Sequence, residues 1–321
     1  MEFYNIANIT IGYYEISFQT IDNLSLPAFT ANVWRSVFGM QLKAMSEGKR
    51  ACPPDLILPR EKLYEYFMET PPPEDAKLMR LYPQAPHPYI FACPWRQDSL
   101  FLAAGSEYRL PIILFGKANA LLPVVILALA RAAAEGLGKQ RGRMRLNTVE
   151  QIMPDTGEGV EIFRYGGTLS PLPPWSPQPP QMPEGGTIQI RLETPLRLSV
   201  QKRLITPKRF TSAYPLIMNL IRRASMISAF HNDVLPDFDF RALKQAAQAV
   251  RLLKTDLVWK DQFRHSSRTG QRVPLGGVMG TLEMDLSSAP EVWPFLWLGQ
   301  WLHAGKGTVF GMGRMTISPR T

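Results

Sequence analysis

The chain has 321 residues, 45% of them hydrophobic, and is therefore long enough for two globular domains, each with its own core. Its 36 Lys and Arg outnumber its 27 Asp and Glu, and the net charge of +9 favours an anionic partner such as nucleic acid. The two cysteines, Cys52 and Cys93, lie far apart in the sequence. We therefore predict neither a disulfide framework nor a zinc cluster, and we expect no bound metal or cofactor.

The N-terminal half begins with a predicted strand and a predicted helix. Its start, MEFYNIANITIGYYEISF, lacks the basic residues and apolar run of a secretory signal, which with the low cysteine count predicts a cytoplasmic protein. Residues alternate from Phe3 to Phe18 as in a strand. The segment ANVWRSVFGMQLKAM then has near-helical spacing at Val33, Val37, Met40 and Leu42. A proline-rich tract at 70–89 is predicted to be an insertion.

A second strand and helix follow in this half. The strand is predicted at IILF (112–115), and the apolar helix runs from about Asn119 to Ala134, with Gly136 as its stop. The most apolar stretch, ANALLPVVILALA, has thirteen residues, fewer than the roughly 20 that cross a bilayer. The helix is therefore predicted to be buried, and no membrane partner is expected.

The C-terminal half repeats the order of the first. A tract with seven prolines at 167–186 predicts a linker or long loop, which gives domains at 1–166 and 187–321. TIQIRL alternates as a strand, and PLIMNLIRRASMISAF predicts a helix with one apolar face at Leu216, Leu220, Ala224 and Ile227. Two strands, TDLVWKDQF and GGVMGTLEMDL, precede the helix APEVWPFLWLGQWLHAG and a last strand in TVFGMGRMTI.

Each half therefore has the order strand, helix, strand, strand, helix, strand. This order predicts an α+β protein with two tandem ferredoxin-like (RRM-like) βαββαβ domains. The segments GLGKQRGRMRL (136–146) and GKGTVFGMGRMTI (305–317) occupy the same place in the two halves, and both contain Gly-Arg-Met. An internal duplication explains this agreement.

The second of these segments belongs to a glycine-rich loop, HAGKGTVFGMGRMTI. It holds four glycines and two cations: Gly305, Gly307, Gly311, Gly313, Lys306 and Arg314. A Walker A loop is excluded because Gly307 follows the lysine, and a dinucleotide fingerprint is excluded because Phe310 stands where its third glycine belongs. The remaining interpretations are backbone N–H groups that meet the phosphates of a polynucleotide, or a turn that lets the last strand pack tightly.

Two further segments are rich in cations. FRHSSRTGQRVPLGGVMG combines hydroxyl groups with Arg264, His265, Arg268 and Arg272. In the first half, alternate spacing predicts one strand face for Lys139, Arg141, Arg143 and Arg145. Both segments suit contacts to RNA phosphate and ribose, and the alternative for both is ordinary solvated surface charge.

With these segments in view, the chain resembles the CRISPR repeat-processing endoribonucleases of the repeat-associated mysterious protein superfamily. The tail HAGKGTVFGMGRMTI carries the resemblance most specifically, and RHSSRTGQRVPLGGVMG and IRRASMISAFH extend it. LPAFTANVWRSVFGMQLKAM, PHPYIF and LFGKANALLPVVILALARAAAEGLGKQRGRMRL are similar to the family's N-terminal domain. The resemblance implies two ferredoxin-like domains with a basic cleft between them and a CRISPR repeat RNA hairpin as ligand. Other CRISPR effector subunits are further expected partners.

The resemblance also implies an activity, the metal-independent cleavage of precursor transcripts into guide RNAs with a 2′,3′-cyclic phosphate as product. Such cleavage needs a base, an acid and positive charge near the phosphate, and histidine suits the first two roles. The candidates are His303, which precedes the glycine loop, His265, which lies among arginines, and His231 at a helix end. His87, between prolines, is the least favoured of the four histidines.

Two other functions stay open. The family commonly has its histidine on or near the first helix, and residues 27–50 contain none. This difference gives a non-catalytic RNA-binding subunit of a CRISPR effector complex as the alternative. A general RNA-binding protein with paired domains is the third interpretation.

Overall fold

The computed structural model describes residues 9–71, 85–261, 263–265 and 272–319, with the backbone alone for 264, 265 and 272. The chain forms two compact units. The first, here called the N-terminal domain, comprises Thr10–Ser176 and also Phe230–Asn232. The second, the C-terminal domain, comprises Ile9, Pro177–Ala229 and the described residues from Asp233 onward.

The N-terminal domain consists of a sheet and two main helices. In chain order its elements are β1 (Ile11–Thr20), β2 (Leu24–Leu26), α1 (Thr30–Ser46), a π-helical turn (Glu65–Glu69), β3 (Tyr89–Phe91), β4 (Leu100–Leu102), β5 (Glu107–Phe115), α2 (Leu122–Glu135), β6 (Met144–Ile152) and β7 (Gly159–Arg164). The main sheet has the spatial order β3-β5-β1-β6-β7 with antiparallel neighbours, and β2 pairs with β4. Apart from the added edge strand β7, this is the ferredoxin-like arrangement.

The core of this domain lies between the sheet and the two helices. Helix α1 buries Trp34 and Phe38, and the indole Nε1 of Trp34 donates to the Tyr108 hydroxyl at 3.0 Å. Helix α2 packs on α1 and β6. Together with the 3-10 turn before it, α2 forms a segment, Gly116–Glu135, whose length and composition would suffice to cross a membrane. Because most of its apolar residues are buried in this packing, the prediction of a buried helix is confirmed.

The C-terminal domain repeats the plan. Its elements are β8 (Thr187–Leu196), β9 (Ser199–Val200), β10 (Arg203–Leu204), α3 (Tyr214–His231), α4 (Phe240–Ala249), β11 (Arg251–Lys260), β12 (Phe263–His265), β13 (Arg272–Pro274), β14 (Gly277–Asp285), α5 (Trp293–Leu302) and β15 (Met315–Pro319). The four-stranded sheet has the order β11-β14-β8-β15, again antiparallel. Its edge strand β15 ends in Pro319.

The two sheets thus share one topology, and the predicted α+β fold with two ferredoxin-like domains is confirmed. The segments 136–146 and 305–317 follow α2 and α5, the second helices of the duplicated plan, and lead into its last strand in each domain. Both place a buried methionine, Met144 or Met315, at the first position of that strand. The predicted basic cleft between the domains stays a prediction.

Some predicted elements differ from the structure. Strand β1 begins at Ile11, and residues 3–8 of the predicted strand lie outside the described residues, as does most of the insertion at 70–89. In the proline-rich tract, Trp175 exchanges two backbone hydrogen bonds of 2.8 Å with Ile11, which ties this part of the tract to β1. Helix α4 was not predicted. It begins after Asp239, whose carboxylate accepts from the N–H groups of Arg241 and Ala242.

Candidate functional site

The glycine-rich loop connects α5 to β15 in the C-terminal domain. Its four glycines all have positive φ, between 69° and 81°. A side chain at Gly313 would collide with the carbonyl oxygen of Ala304, and one at Gly305 would lie 2.6 Å from the carbonyl oxygen of Arg197. The fold of the loop therefore requires glycine at these two positions, because both the backbone angle and the space exclude a Cβ atom.

Most of the glycine N–H groups in this loop are engaged within the domain. Gly305 donates to the Asn219 side chain at 2.7 Å, Gly311 to the carbonyl of Thr308 at 2.8 Å, and Gly313 to that of Pro195 at 3.0 Å. Gly311 and Gly313 are also buried. The expectation that these N–H groups meet a phosphate is therefore corrected, since RNA would have to break the loop to use them. The tight-turn interpretation accounts for these three glycines.

The cations of the loop are more accessible than its glycines. Lys306 is exposed, Arg314 is half-buried, and Gly305 and Gly307 are half-buried beside them. The N–H of Lys306 donates to the carbonyl of Arg197 at 2.9 Å, which holds the backbone and leaves the ammonium group at the surface. The part of the loop that can face a polyanion is thus the turn at 305–307 together with Arg314.

His303 is buried at the end of α5, with 1% of its surface exposed. Burial, followed by the positive charges of Arg314 and Arg223, lowers the pKa of His303 to about 3. Arg223 is buried as well, and its Nε donates to the carbonyl of Leu302 at 2.6 Å. His303 is therefore neutral at pH 7 and enclosed by its own domain, which prevents contact with RNA in this structure.

His231 is also buried, with 2% of its surface exposed. Its Nε2 lies 2.7 Å from the carbonyl oxygen of Pro86, and its ring meets that of Tyr66 edge to face. Since a carbonyl only accepts, Nε2 carries the hydrogen of this bond. His231 thus secures the segment that leads into β3.

The cation-rich segment contains two short strands that pair with each other, β12 and β13. Strands β12 and β13 are antiparallel, with Arg264 opposite Val273 and His265 opposite Arg272. Arg268 lies outside the described residues. The backbone therefore brings His265 and Arg272 to neighbouring positions at the ends of these two strands.

The predicted basic row of the N-terminal domain is not a single strand face. Lys139 and Arg141 lie in the exposed turn between Leu137 and Gly142, ahead of β6, because Leu137 and Gly142 pair with each other. Arg143 forms a two-point ion pair with Asp22, with Nε–Oδ2 at 2.8 Å, and this pairing lowers the pKa of Asp22. Arg145, the one member on the strand, lies over the Tyr165 ring at 5.9 Å.

Sequence reasoning missed a cluster around His87 in the N-terminal domain. Thr70 Oγ1 lies 2.9 Å from His87 Nδ1, and a guanidinium nitrogen of Arg35, on α1, lies 3.4 Å from His87 Nε2. His87 and Arg35 are half-buried, and Thr70 is 4% exposed. The one sign of this cluster in the sequence was the histidine between two prolines. Its partners Thr70 and Arg35 lie 17 and 52 positions earlier in the chain, so no local pattern connects them.

Among the described residues, no group of three or more His, Cys, Asp or Glu is arranged to hold a metal ion. One half-buried cluster in the described part brings together an imidazole, a guanidinium and a hydroxyl group, those of His87, Arg35 and Thr70.

Two family models match the chain. Residues 9–174 match AF_1859_N, an N-terminal domain, and residues 190–315 match the CRISPR-associated endoribonuclease Cas6. The second match includes the whole segment from α3 to the glycine-rich loop. No curated protein matches the chain by sequence.

Solved Cas6 structures have the same fold. A Cas6 product complex aligns with a TM-score of 0.58 at 14% identity and covers 96% of this chain and 99% of its own. A partial Cas6-RT-Cas1–Cas2 complex aligns with a TM-score of 0.53 at 14% identity, over 97% of this chain and 46% of that one. Cas6 of Thermus thermophilus aligns with a TM-score of 0.50 at 13% identity, over 97% and 99%.

Proposed function

Because the chain belongs to the family of CRISPR-associated Cas6 endoribonucleases, we propose that it binds a CRISPR repeat RNA hairpin and cleaves precursor transcripts into guide RNAs. The cleavage is independent of metal. A ribose 2′-OH attacks the adjacent phosphate, and the products carry a 2′,3′-cyclic phosphate and a 5′-OH. The protein acts in the cytoplasm and associates with other CRISPR effector subunits rather than with a membrane.

The observation that carries this proposal is the Cas6 family match over residues 190–315, which spans the glycine-rich loop. The exposed ammonium of Lys306 and the half-buried guanidinium of Arg314 flank the accessible turn of that loop. Cations beside a tight turn suit the phosphates of RNA, which bind mainly through charge. Because Gly305 and Gly307 have no side chains, the RNA strand can approach the backbone of this turn. The buried Gly311 and Gly313 instead determine how the loop folds.

The proposed chemistry also needs a histidine that RNA can reach. Burial removes His303 and His231 from this role. Two histidines remain, His265 beside Arg264 and Arg272 in the paired strands β12 and β13, and His87 beside Arg35. The exposed Lys139 and Arg141 are proposed to bind the RNA backbone, with a smaller part for the paired Arg143. The same role is proposed for Arg264 and Arg272 of the paired strands β12 and β13 and for Arg268 of the same sequence segment.

The proposal is tested by incubating the purified chain with a radiolabelled cognate repeat hairpin in buffer containing EDTA. We expect one cut on the 3′ side of the hairpin. Phosphatase should remove the terminal phosphate of the product only after acid has opened the cyclic phosphate. A hairpin with 2′-deoxyribose at the cleavage site is the matched control and should stay intact. Cleavage of this deoxy substrate, or cleavage only with added metal, would contradict the proposal.

The second candidate function is a non-catalytic RNA-binding subunit of a CRISPR effector complex. The burial of His303 and His231 favours it, since two of the three histidines proposed from the sequence are enclosed. The same assay separates the two functions. Tight, salt-dependent binding of the hairpin without any cleavage would identify the binding subunit.

A further inference from the structure

We propose that His87 is the general base of the cleavage reaction, that Thr70 orients its ring, and that Arg35 supplies the positive charge beside it. This inference rests on the proposed function, because it assigns a residue to that reaction. Its basis is the arrangement of the three side chains in the N-terminal domain.

The partners of His87 define which ring nitrogen carries the hydrogen. A guanidinium group only donates, so the Arg35 nitrogen at 3.4 Å from Nε2 requires a lone pair on Nε2. A neutral imidazole with that lone pair has its hydrogen on Nδ1, which then donates to Thr70 Oγ1 at 2.9 Å. Nε2 is therefore the basic atom, as a general base requires.

The backbone around His87 is held on both sides. The carbonyl of Pro86 accepts from His231 Nε2 at 2.7 Å, and the carbonyl of Pro88 accepts from the N–H of Phe115 at 2.9 Å. These two bonds tie the PHP segment to the end of α3 and to β5. His231, which sequence reasoning placed among the catalytic candidates, thus supports the segment that presents His87.

Thr70 is held in an unusual backbone conformation. It ends the π-helical turn Glu65–Glu69 with φ 44° and ψ 59°, a left-handed conformation that threonine rarely adopts. Its N–H donates to the carbonyl of Glu65 at 2.8 Å. Single π-helical turns and strained residues occur frequently at functional sites, where they aim a side chain. Here the conformation places the Thr70 hydroxyl against the His87 ring.

A cavity borders the Thr70 side of this cluster. Its volume is about 260 Å³, and its lining includes Thr70, Tyr66 and the ammonium-bearing Lys62. Lys62 Nζ pairs with Glu65 Oε2 at 2.7 Å, so its charge reaches a phosphate only when this ion pair opens, whereas the Tyr66 ring offers an aromatic surface to a base.

In the proposed step one bond to phosphorus forms and another breaks. His87 Nε2 takes the proton of the 2′-OH, the 2′-oxygen forms a bond to phosphorus, and the bond from phosphorus to the 5′-oxygen breaks. The 5′-oxygen leaves with the electron pair and receives a proton from water. The Arg35 guanidinium turns from Nε2 to the phosphate oxygens, which carry more negative charge in the transition state. His87 afterwards returns its proton to solvent.

The test compares single-turnover cleavage and RNA binding in three proteins: wild type, His87→Ala and His265→Ala. We expect His87→Ala to lower kcat by about 100-fold or more, the range of a general base, with the RNA Kd changed less than about threefold. The wild-type rate should fall at acid pH, where the histidine base becomes protonated, and this acid limb should vanish in His87→Ala. His265→Ala removes the other remaining candidate and should keep the acid limb; an acid limb that is lost in His265→Ala and kept in His87→Ala would overturn the assignment of His87.

Two outcomes separate this inference from the proposed function. An active wild type with an equally active His87→Ala, showing the same pH profile, would overturn the assignment of His87 and leave the function intact. A wild type that binds the hairpin without cutting would overturn both. Circular dichroism verifies that each variant is folded.

Thr70 is tested by its conservative variant and by a direct measurement of the tautomer. Thr70→Ser keeps the hydroxyl and should retain the rate within about threefold, whereas Thr70→Val should lower kcat by about tenfold without raising KM. Nitrogen-15 NMR of the wild-type imidazoles should show His87 with its hydrogen on Nδ1. A hydrogen on Nε2, or equal rates in the serine and valine variants, would contradict the proposed orientation.

Discussion

The backbone N–H of Ala304 donates to the carbonyl oxygen of Gly313 at 2.9 Å, and the Gly313 α-carbon packs against the carbonyl of Ala304. This contact joins the first residue after His303 to the last glycine before β15. It closes the glycine-rich loop on itself and makes it a structural unit of the C-terminal domain.

Replacing Gly313 by alanine should therefore destabilise the C-terminal domain strongly. The added Cβ collides with the Ala304 carbonyl at a residue whose φ is 69°, and we expect a loss of about 3 kcal/mol or more in the free energy of unfolding. Gly185→Ala is the matched control, because Gly185 also has positive φ (76°) but nothing within 4 Å. It should cost about 1–2 kcal/mol. Urea unfolding measures the free energy of unfolding of both variants. Equal losses of free energy would refute the role of the contact between Gly313 and Ala304.

The buried His303 predicts a stability that depends on pH. Its pKa in the folded state is about 3, below the ordinary value of 6.5, so the unfolded chain binds the proton more tightly. Stability should fall as the pH drops below 6.5, by up to about 1.4 kcal/mol per pH unit from this group. His303→Asn, which replaces the imidazole with an amide that does not titrate in this range, should flatten the dependence of Tm between pH 6.5 and 4.5. Parallel curves for the two proteins would show that His303 titrates normally when folded.

Lys306 should contribute to RNA affinity through charge. Lys306→Ala is expected to weaken hairpin binding several-fold and to reduce the slope of log K against log salt by about 1. Lys244→Ala is the control, since Lys244 is an exposed lysine on α4 in the same domain and outside every predicted contact. Filter binding across a salt series measures both variants. If both substitutions weakened RNA binding equally, Lys306 would contribute only as general surface charge.

Arg141 and Arg143 should contribute differently to RNA affinity although they are only two positions apart in the sequence. Arg143 already pairs with Asp22, whereas Arg141 projects from the exposed turn. Arg141→Ala is therefore expected to weaken RNA binding more than Arg143→Ala does. Asp22→Asn releases Arg143 and should raise affinity in the same assay. A stronger effect of Arg143→Ala would mean that RNA displaces Asp22.

Hydrophobic periodicity predicted most of the fold. The four apolar residues proposed for one face of α3, from Leu216 to Ile227, are all buried. The helix predicted for α1 is present, but the spacing of the chosen apolar residues did not identify its buried side. Met40 is 66% exposed, and the core contains Trp34 and Phe38 instead. Large aromatic rings bury more apolar area than valine or methionine and therefore determine which side of the helix faces the sheet.

The site was harder to predict because its residues meet only through tertiary structure. Glycine and cation density located the loop, but it could not tell that Gly311 and Gly313 would face their own domain. The Arg35–His87 pair joins α1 to the segment before β3, and no spacing rule relates these two places. Burial similarly distinguishes His303 from His87, and burial of a single side chain depends on packing that a local pattern does not contain.

The last residue of strand β15 has a consequence for how the purified protein behaves at high concentration. Pro319 lies in an edge strand and has no N–H to offer, so one donor is missing from the row that an incoming strand would need. At the outer edge of the other sheet, β7 carries the charged pair Arg164 and Glu161. Both features disfavour the addition of a strand from another molecule at these two edges and should slow association through them in concentrated solutions.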